Sequence, residues 1–309
     1  LLVGIAFAIW WGTFFPFISE AFTGQRISVG PPFFNQVNGP LSIALLLLVG
    51  IGPVIAWRRA SRRNLQRNFV APVAALLVAG VVAFALGMRQ WYALAVVTFS
   101  AFVLATIVQE VWRGAGVRTR RGENPLLAVV RLVGKNRRRY GGYIVHVGVV
   151  LVFFGVAGAL FVQEKSVRLP PGGETTVGPF SVEYIDTELE QGPNYVATVA
   201  NLTVADRDGA PHRIRPERRF YPSGQEQVTT EVAIWSRLFE DLYVIQDGYQ
   251  PSSGAADLTF VINPMVLWLW IGGGVMVFGI LVSLTTARPK PARAVERAEA
   301  EAEAEEAAA

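Results

Sequence analysis

Six long apolar runs limit what this chain can fold into. Each is close to the ~20 residues that a helix needs to span the hydrocarbon core of a bilayer. They lie at 1–22, 41–57, 69–86, 91–112, 140–162 and 263–284. Charged residues make up only 17% of the chain, below the roughly 25% that soluble domains carry. The pattern excludes a soluble protein and predicts a polytopic α-helical membrane protein with about six transmembrane helices.

The basic residues indicate how these helices are oriented. Of the 28 Lys and Arg residues, 18 lie at 58–67, 113–139 and 288–297. With six crossings these three segments share one side of the membrane, and the positive-inside rule makes that side cytoplasmic. The net charge of +4 therefore reflects membrane topology. It predicts contact with lipid headgroups, and it predicts no nucleic-acid partner.

Residues 163–262 differ from the rest of the chain, with 15 acidic residues, 8 basic residues and no long apolar run. A hairpin turn is expected to end at Gly209, and a short helical turn is expected at 236–241. Alternating apolar and polar residues predict strands at 180–185, 195–204, 227–234 and 257–262. Together with the orientation, this predicts one extracytoplasmic, mainly β domain inserted between the last two helices.

These observations divide the chain into four parts. We predict a membrane domain of five helices at 1–162, the β domain at 163–262 and the last helix at 263–285. An Ala/Glu-rich cytoplasmic tail follows at 286–309. Because the sequence opens at Leu1 inside an apolar run, we expect a helix that continues from a longer protein.

Only two histidines, His146 and His212, occur in the sequence, and cysteine is absent. A disulfide, a thiolate metal site and a cysteine nucleophile are therefore excluded. His146 lies inside the fifth apolar run, ~9 Å from its cytoplasmic end at 1.5 Å per residue. An ionisable side chain at that depth is costly without a partner, so His146 is a candidate functional residue. His212 follows the predicted hairpin turn and is expected in an exposed loop.

The helix around His146 carries two different faces. Small residues that suit close helix packing recur at Gly141, Gly148, Gly155 and Gly158. Apolar and aromatic residues at helical spacing from the imidazole are Tyr143, Val149, Val150 and Phe153. A neutral imidazole on such a wall can be an axial ligand to haem iron, or it can form an interhelical hydrogen bond to Ser, Thr or Asn. The pattern alone leaves both interpretations open.

Three arginines at 137–139 stand at the inner end of the same helix. The first interpretation of these arginines is that they determine the orientation of the helix in the membrane. A second is that one of them, Arg139, pairs with a haem propionate, because a guanidinium binds a carboxylate through two parallel hydrogen bonds. Trp112 falls at a helix end, where amphipathic rings anchor in the headgroup region.

Short motifs, in order along most of the chain, carry a family resemblance. The first two are Gly12-Thr13-Phe14-Phe15-Pro16 and the nine residues at 27–35. The others are Gly50-Ile51-Gly52-Pro53, His146-Val147-Gly148, Arg219-Phe220-Tyr221, residues 230–234, Asp241-Leu242-Tyr243, Asn263-Pro264 and residues 268–273. Up to about residue 285 the chain resembles the C-terminal half of the CcmF family, the membrane subunit of the haem lyase in bacterial cytochrome c maturation.

The resemblance implies a b-type haem held by two membrane histidines, and by motif His146 corresponds to the second of them. The other histidine, a Trp-rich external motif and two external histidines precede this segment in the family. The second axial ligand is therefore expected from outside the chain. Tyr143 and Phe153 would pack against the haem face. The implied partners are the N-terminal half of the same protein or a split partner subunit, a haem chaperone, apocytochrome c and other maturation subunits.

By resemblance, the predicted function is that of a haem-lyase component in the bacterial inner membrane. It would help to position haem for attachment to apocytochrome thiols, and this segment alone is not expected to suffice. A second interpretation is a non-catalytic scaffold that docks the haem carrier and the apocytochrome. A third is a membrane transporter, although transporters normally show more polar residues within the membrane or inverted repeats.

Overall fold

The computed structural model describes residues 1–53, 62–206, 209–222 and 228–285. Within these ranges the chain forms seven α-helices, of which six are long and apolar enough to cross a membrane. The helices are α1 (Leu2–Thr23), α2 (Pro31–Ile51), α3 (Arg62–Ala85), α4 (Trp91–Thr119), α5 (Pro125–Lys135), α6 (Arg137–Gly158) and α7 (Val266–Leu284). A β domain lies between α6 and α7. The predicted fold class, a polytopic membrane protein with an inserted β domain, is confirmed.

Three membrane helices extend well beyond their predicted bounds, and one of them, α3, begins at Arg62 and not at 69. Helix α2 begins at Pro31 and not at 41, because two prolines occupy its first turn, where proline is well tolerated. The polar residues Asn35 and Asn38 interrupt the apolar run and hide this start from a hydropathy scan. Helix α4 continues to Thr119, past the predicted end at 112. The part of the second predicted segment at 54–57 lies outside the described residues.

Helix α5 was not predicted. Its Asn124 side chain accepts a hydrogen bond from the backbone N–H of Leu126 at 3.0 Å, and Pro125 occupies the first turn. Ala128 and Leu132 are buried against the bundle. With eleven residues, α5 is too short to span a bilayer. A search for apolar segments of membrane-spanning length therefore does not detect it.

The membrane helices pack around α4 and α6. Helix α4 contacts α2, α3, α5 and α6, and α1 contacts α2. One buried cluster joins α2, α4, α5 and α6, with members that include Leu46, Val103, Ile107, Leu132, Tyr140, Tyr143 and Val150. Helix α6 therefore has one face fixed against α4, which limits where the remaining residues of α6 can point.

Helices α6 and α7 approach closely and run antiparallel along a glycine seam. A Cβ atom added at Gly148 would lie 2.7 Å from the carbonyl oxygen of Gly272, and one added at Gly272 would lie 2.7 Å from that of Gly148. Gly141 and Gly279 oppose each other in the same way. The prediction that the glycine stripe of this helix serves close packing is confirmed.

The β domain consists of two antiparallel sheets. Its strands are β1 (Gln163–Leu169), β2 (Gly173–Val177), β3 (Phe180–Gln191), β4 (Val196–Ala205), β5 (Pro211–Ile214), β6 (Glu217–Phe220), β7 (Val228–Glu231), β8 (Ala233–Ser236), β9 (Glu240–Gln250) and β10 (Ala255–Pro264). One sheet has the order β1-β10-β9-β8; the other has β2-β3-β4-β6-β7, with β5 also paired to β4. Side chains of both sheets fill one core, including Tyr184, Leu202, Leu242 and Phe260.

The β domain continues directly from the α6–α7 pair. A short 3₁₀ turn (Ala159–Phe161) follows α6, and β1 starts after one further residue. Strand β10 ends at Pro264, and α7 begins after Met265, whose φ is 64°. Because every residue of β1 pairs with a residue of β10 in the range 256–262, the two helices extend into two adjacent strands, the β1–β10 ribbon. Met265 N–H also donates to the carbonyl of Phe239 at 2.8 Å.

Two predictions for the β domain are wrong in detail. The single strand predicted at 227–234 is two strands, β7 and β8, which belong to different sheets; residue 227 lies outside the described residues. The helical turn predicted at 236–241 is the tight turn between β8 and β9. There the buried Asp241 carboxylate accepts hydrogen bonds from Arg237 N–H and the Ser236 hydroxyl, both at 3.2 Å. This carboxylate stabilises the turn locally.

Gln246 of β9 provides a first prediction about stability. Its side chain is fully buried in the β core, and neither its Oε1 nor its Nε2 has a hydrogen-bond partner among the described residues. A buried amide without partners costs roughly 1–3 kcal/mol. We expect Gln246→Met to leave the unfolding free energy unchanged or to raise it by up to ~2 kcal/mol, as measured by thermal unfolding. A clear loss of stability would show that the amide has partners in solution.

Candidate functional site

Helix α6 places its residues on three faces. The first packs on α4 through Tyr140, Tyr143 and Val150, and the second packs on α7 through the glycine seam. At 3.6 residues per turn, residues seven apart lie nearly above one another. Arg139, His146 and Phe153 therefore share a third face, next to the face that packs on α4: Arg139 pairs with Glu110 of α4, and Phe153 packs against the edge of the buried cluster.

His146 is partly buried on this third face. Its Nδ1 atom is shielded from solvent and has no hydrogen-bond partner among the described residues. On the neighbouring helix α4, the Thr106 hydroxyl donates to the carbonyl of Phe102 at 2.9 Å, and the buried Ser100 hydroxyl has no described partner. The alternative of an interhelical hydrogen bond to Ser, Thr or Asn is thus not formed at Nδ1. The imidazole keeps bonding capacity for a further group.

Tyr143 and Phe153 lie in different surroundings. Tyr143 is only 7% exposed, and its ring packs edge-to-face on Tyr140 with the ring centroids 5.5 Å apart. Its hydroxyl accepts a hydrogen bond from Arg139 Nε at 2.8 Å. Phe153 is partly buried and shares the face of His146. Of the two aromatic residues, Phe153 is therefore the one placed to contact a group bound beside His146.

Two of the three arginines at the start of α6 have partners within the chain. Arg139 forms an ion pair with Glu110 of α4 in addition to its bond with Tyr143. Arg137 donates from Nη1 to the carbonyl of Thr285 at 2.6 Å, beyond the end of α7. The sequence pattern of α6 does not identify Glu110 as a partner, although an acidic residue near the inner end of α4 is a usable signal.

His212 lies on strand β5 and not in a loop, so that prediction is wrong in its local structure. Strand β5 pairs with β4, and His212 is the register partner of Val204. Its exposed ring stacks on Trp235 with the centroids 4.9 Å apart and the planes at 19°. Within the part of the chain that the structure describes, no group of His, Asp and Glu residues has the arrangement of a metal site.

Ion pairs on the β domain have a structural explanation. Arg168 of β1 binds Asp257 of β10 through two hydrogen bonds of 2.7 and 2.9 Å. This pair lowers the pKa of Asp257 because the guanidinium stabilises the carboxylate. The neighbouring carboxylate of Glu217 raises the pKa of Arg219 further above its ordinary value. The first pair connects two strands and the second lies within β6, so both have structural roles and the α6 face remains the candidate site.

Comparison with known proteins identifies relatives along the whole chain. The family described as "CcmF C-terminal beta-sandwich" matches residues 160–264. The chain is 31% identical to cytochrome c-type biogenesis protein ccl1 of Rhodobacter capsulatus, over 96% of this chain and 44% of that protein. It is 30% identical to CcmF of Pseudomonas aeruginosa, over 87% of this chain and 40% of that protein.

A solved structure is similar as well. The chain superimposes on the cytochrome c haem lyase CcmF with a TM-score of 0.70 and 26% identity, covering 92% of this chain and 44% of that one. The chain thus spans less than half the length of the relatives it matches. The resemblance carried by the motifs is confirmed across both the membrane helices and the β-sandwich, and the chain belongs to the CcmF family of cytochrome c-type biogenesis proteins.

Proposed function

We propose that this chain is part of a membrane haem lyase of cytochrome c maturation, and that His146 supplies one axial ligand to a b-type haem. The observation that carries the proposal is the imidazole of His146 on a membrane helix, whose buried Nδ1 has no hydrogen-bond partner among the described residues. A buried polar atom without a partner is costly, so a further group is expected at this position. The names of the relatives, which are cytochrome c biogenesis proteins and a haem lyase, favour haem.

The residues present fit one half of a haem site. Imidazole is a common axial ligand of haem iron, and the adjacent face offers Val149 and Phe153 as an apolar wall. The other histidine of the chain, His212, lies in the β domain on strand β5. The second axial ligand is therefore proposed to come from outside this chain, in the remaining length that the relatives have.

The chain's own residues would hold and orient the bound group. His146 would bind through one imidazole nitrogen, and Phe153 would exclude lipid and water from one side. Arg139 lies two turns from His146 towards the start of α6 and remains a proposed partner for a propionate, although Glu110 already balances its charge. When bound, the haem would supply an iron centre that accepts and releases one electron.

The proposed orientation places the basic ends of α4 and α6 in the cytoplasm and the β-sandwich outside it. Apocytochrome c and a haem carrier would then meet the chain on the side of the sandwich. Because the β1–β10 ribbon continues α6 and α7, a partner bound to the sandwich would be held in a fixed relation to the helix of His146. The reacting thiols would come from the apocytochrome, since the chain has no cysteine, and the catalytic contribution would be orientation.

The test uses the full-length protein, meaning this chain together with the remaining length that the relatives have, whether that lies on the same polypeptide or on a partner subunit. We expect His146→Ala to lower the bound b-type haem by about tenfold or more, because loss of a metal ligand or of its support typically costs 10–100-fold in affinity. Haem per protein is measured from the pyridine haemochrome spectrum of the purified protein. The matched control is His212→Ala, the same substitution at the only other histidine of the chain, which should keep the wild-type haem content.

Full haem content in the His146→Ala protein would contradict the ligand assignment. If the wild-type protein itself binds no haem while it still supports cytochrome maturation, the scaffold interpretation replaces the haem site. Equal losses in the two histidine variants would point to general misfolding, so the melting temperature of each variant is measured alongside the spectrum.

A further inference from the structure

A groove opens between the inner part of α4 and the start of α5. Its volume is about 780 Å³. The walls are mainly apolar, with Ile107, Val108, Val111 and Trp112 on α4 and Pro125 and Val129 at α5. No part of this groove belongs to the face of His146, which lies on α6.

The groove lies at the boundary between the hydrocarbon core and water. Helix α4 has 29 residues, about 43 Å at 1.5 Å per residue, whereas the hydrocarbon core is ~30 Å thick. Its last turns must therefore leave the core, and Trp112, 78% exposed, lies where they do so. Helix α5 is amphipathic, and it exposes Leu126 and Val130 in addition to its packed face. A short helix of this kind lies in the membrane interface.

One arginine at the groove has no acidic partner among the residues that the structure describes. Glu123 is paired with Arg118 and Arg131, at 3.6 and 3.1 Å. Glu110 is paired with Arg139 and lies 3.9 Å from Arg113. Arg120 lines the groove, and no ion pair or hydrogen bond joins its side chain to another described residue.

We propose that this groove binds an anionic phospholipid of the leaflet that faces the basic loops. The apolar walls match an acyl chain in composition, and the guanidinium of Arg120 matches a lipid phosphate, which arginine binds through parallel hydrogen bonds. Charge complementarity selects an anionic headgroup over a zwitterionic one. The site is independent of the proposed haem function, since it uses α4 and α5 only.

The first arm of the test fills the groove. A Cβ atom added at Gly116, which lines the groove, would meet nothing within 4 Å, so Gly116→Leu places its side chain in open groove space. The matched control is Gly134→Leu on α5, where an added Cβ also meets nothing and which does not line the groove. Both changes favour the helix. Binding of phosphatidylglycerol to the full-length protein in detergent is measured by native mass spectrometry, and we expect at least a fivefold loss for Gly116→Leu alone.

The second arm tests the headgroup. Arg120→Gln should weaken phosphatidylglycerol binding about fivefold, the equivalent of ~1 kcal/mol for one basic residue near the surface. Phosphatidylcholine binding should not change. Arg131→Gln is the charge-matched control, because Arg131 is already paired with Glu123, and its effect should be below twofold.

Three results would overturn the proposal. The first is unchanged phosphatidylglycerol binding in both Gly116→Leu and Arg120→Gln. The second is equal weakening in Arg120→Gln and Arg131→Gln, which would indicate a diffuse charge effect. The third is loss of a protein subunit from the purified complex of Gly116→Leu with lipid binding intact, which would make the groove a protein interface.

Discussion

Gly272→Leu is expected to separate α6 from α7 and to lower the unfolding free energy by about 3 kcal/mol or more. An added Cβ at Gly272 would lie 2.7 Å from the carbonyl oxygen of Gly148 and 2.8 Å from the backbone N of Val152. Neither backbone atom can move aside as a side chain could, so the helices themselves must shift. Overpacking in a tight interface typically costs about 1–3 kcal/mol and occasionally more. Because the clash here is with backbone atoms, we expect a cost at the upper end of this range.

The effect should reach the β domain because β1 and β10 continue the two helices. We expect a melting temperature lowered on the order of 5–10 °C for the full-length protein in detergent. The matched control is Gly274→Leu, two residues further along α7, which is exposed and meets nothing within 4 Å. If both variants have the melting temperature of the wild type, the glycine seam does not hold this pair of helices together.

The sequence predicted the membrane helices well because each helix buries about 20 apolar residues in lipid. This requirement produces a long apolar segment that can be recognised in the sequence. It missed α5 because an eleven-residue interfacial helix needs only one apolar stripe. It ended β3 at 185, whereas the strand runs to Gln191. Beyond the register shift after Tyr184, most side chains of β3 are exposed on both faces. The sequence there lacks the alternation of apolar and polar residues that would indicate a strand.

For the candidate site, the sequence placed His146 in the membrane and the glycines on a packing face. It could not tell that Tyr143 faces α4, because Tyr143 and Phe153 are both compatible with helical spacing from His146. Which of the two residues faces α4 depends on how α4 packs against α6, and this tertiary contact cannot be derived from the sequence of α6 alone. The same holds for Arg139, whose partner Glu110 lies on a different helix. A single helix pattern shows which residues share a face and does not show what covers it.

Tyr184→Ala is expected to destabilise the β-sandwich by about 3–5 kcal/mol, the range for removing a large aromatic side chain from a core. Tyr184 is the largest fully buried side chain of the chain's described core. Its hydroxyl lies 2.8 Å from that of Thr187 and donates to the carbonyl of Gly254 at 2.9 Å. It therefore joins β3 to the turn before β10, and its removal leaves both a cavity and an unpaired carbonyl.

Two further variants separate these contributions. Tyr184→Phe keeps the ring and should cost only ~1 kcal/mol, the net value of a buried hydrogen bond. Leu189→Ala, on the same strand but 73% exposed, should change the unfolding free energy by less than about 0.5 kcal/mol. Urea unfolding followed by the fluorescence of Trp235, with the other tryptophans replaced by phenylalanine, reports on this domain. If Tyr184→Phe costs as much as Tyr184→Ala, the strand β3 is held by the hydroxyl and not by the packing of the ring.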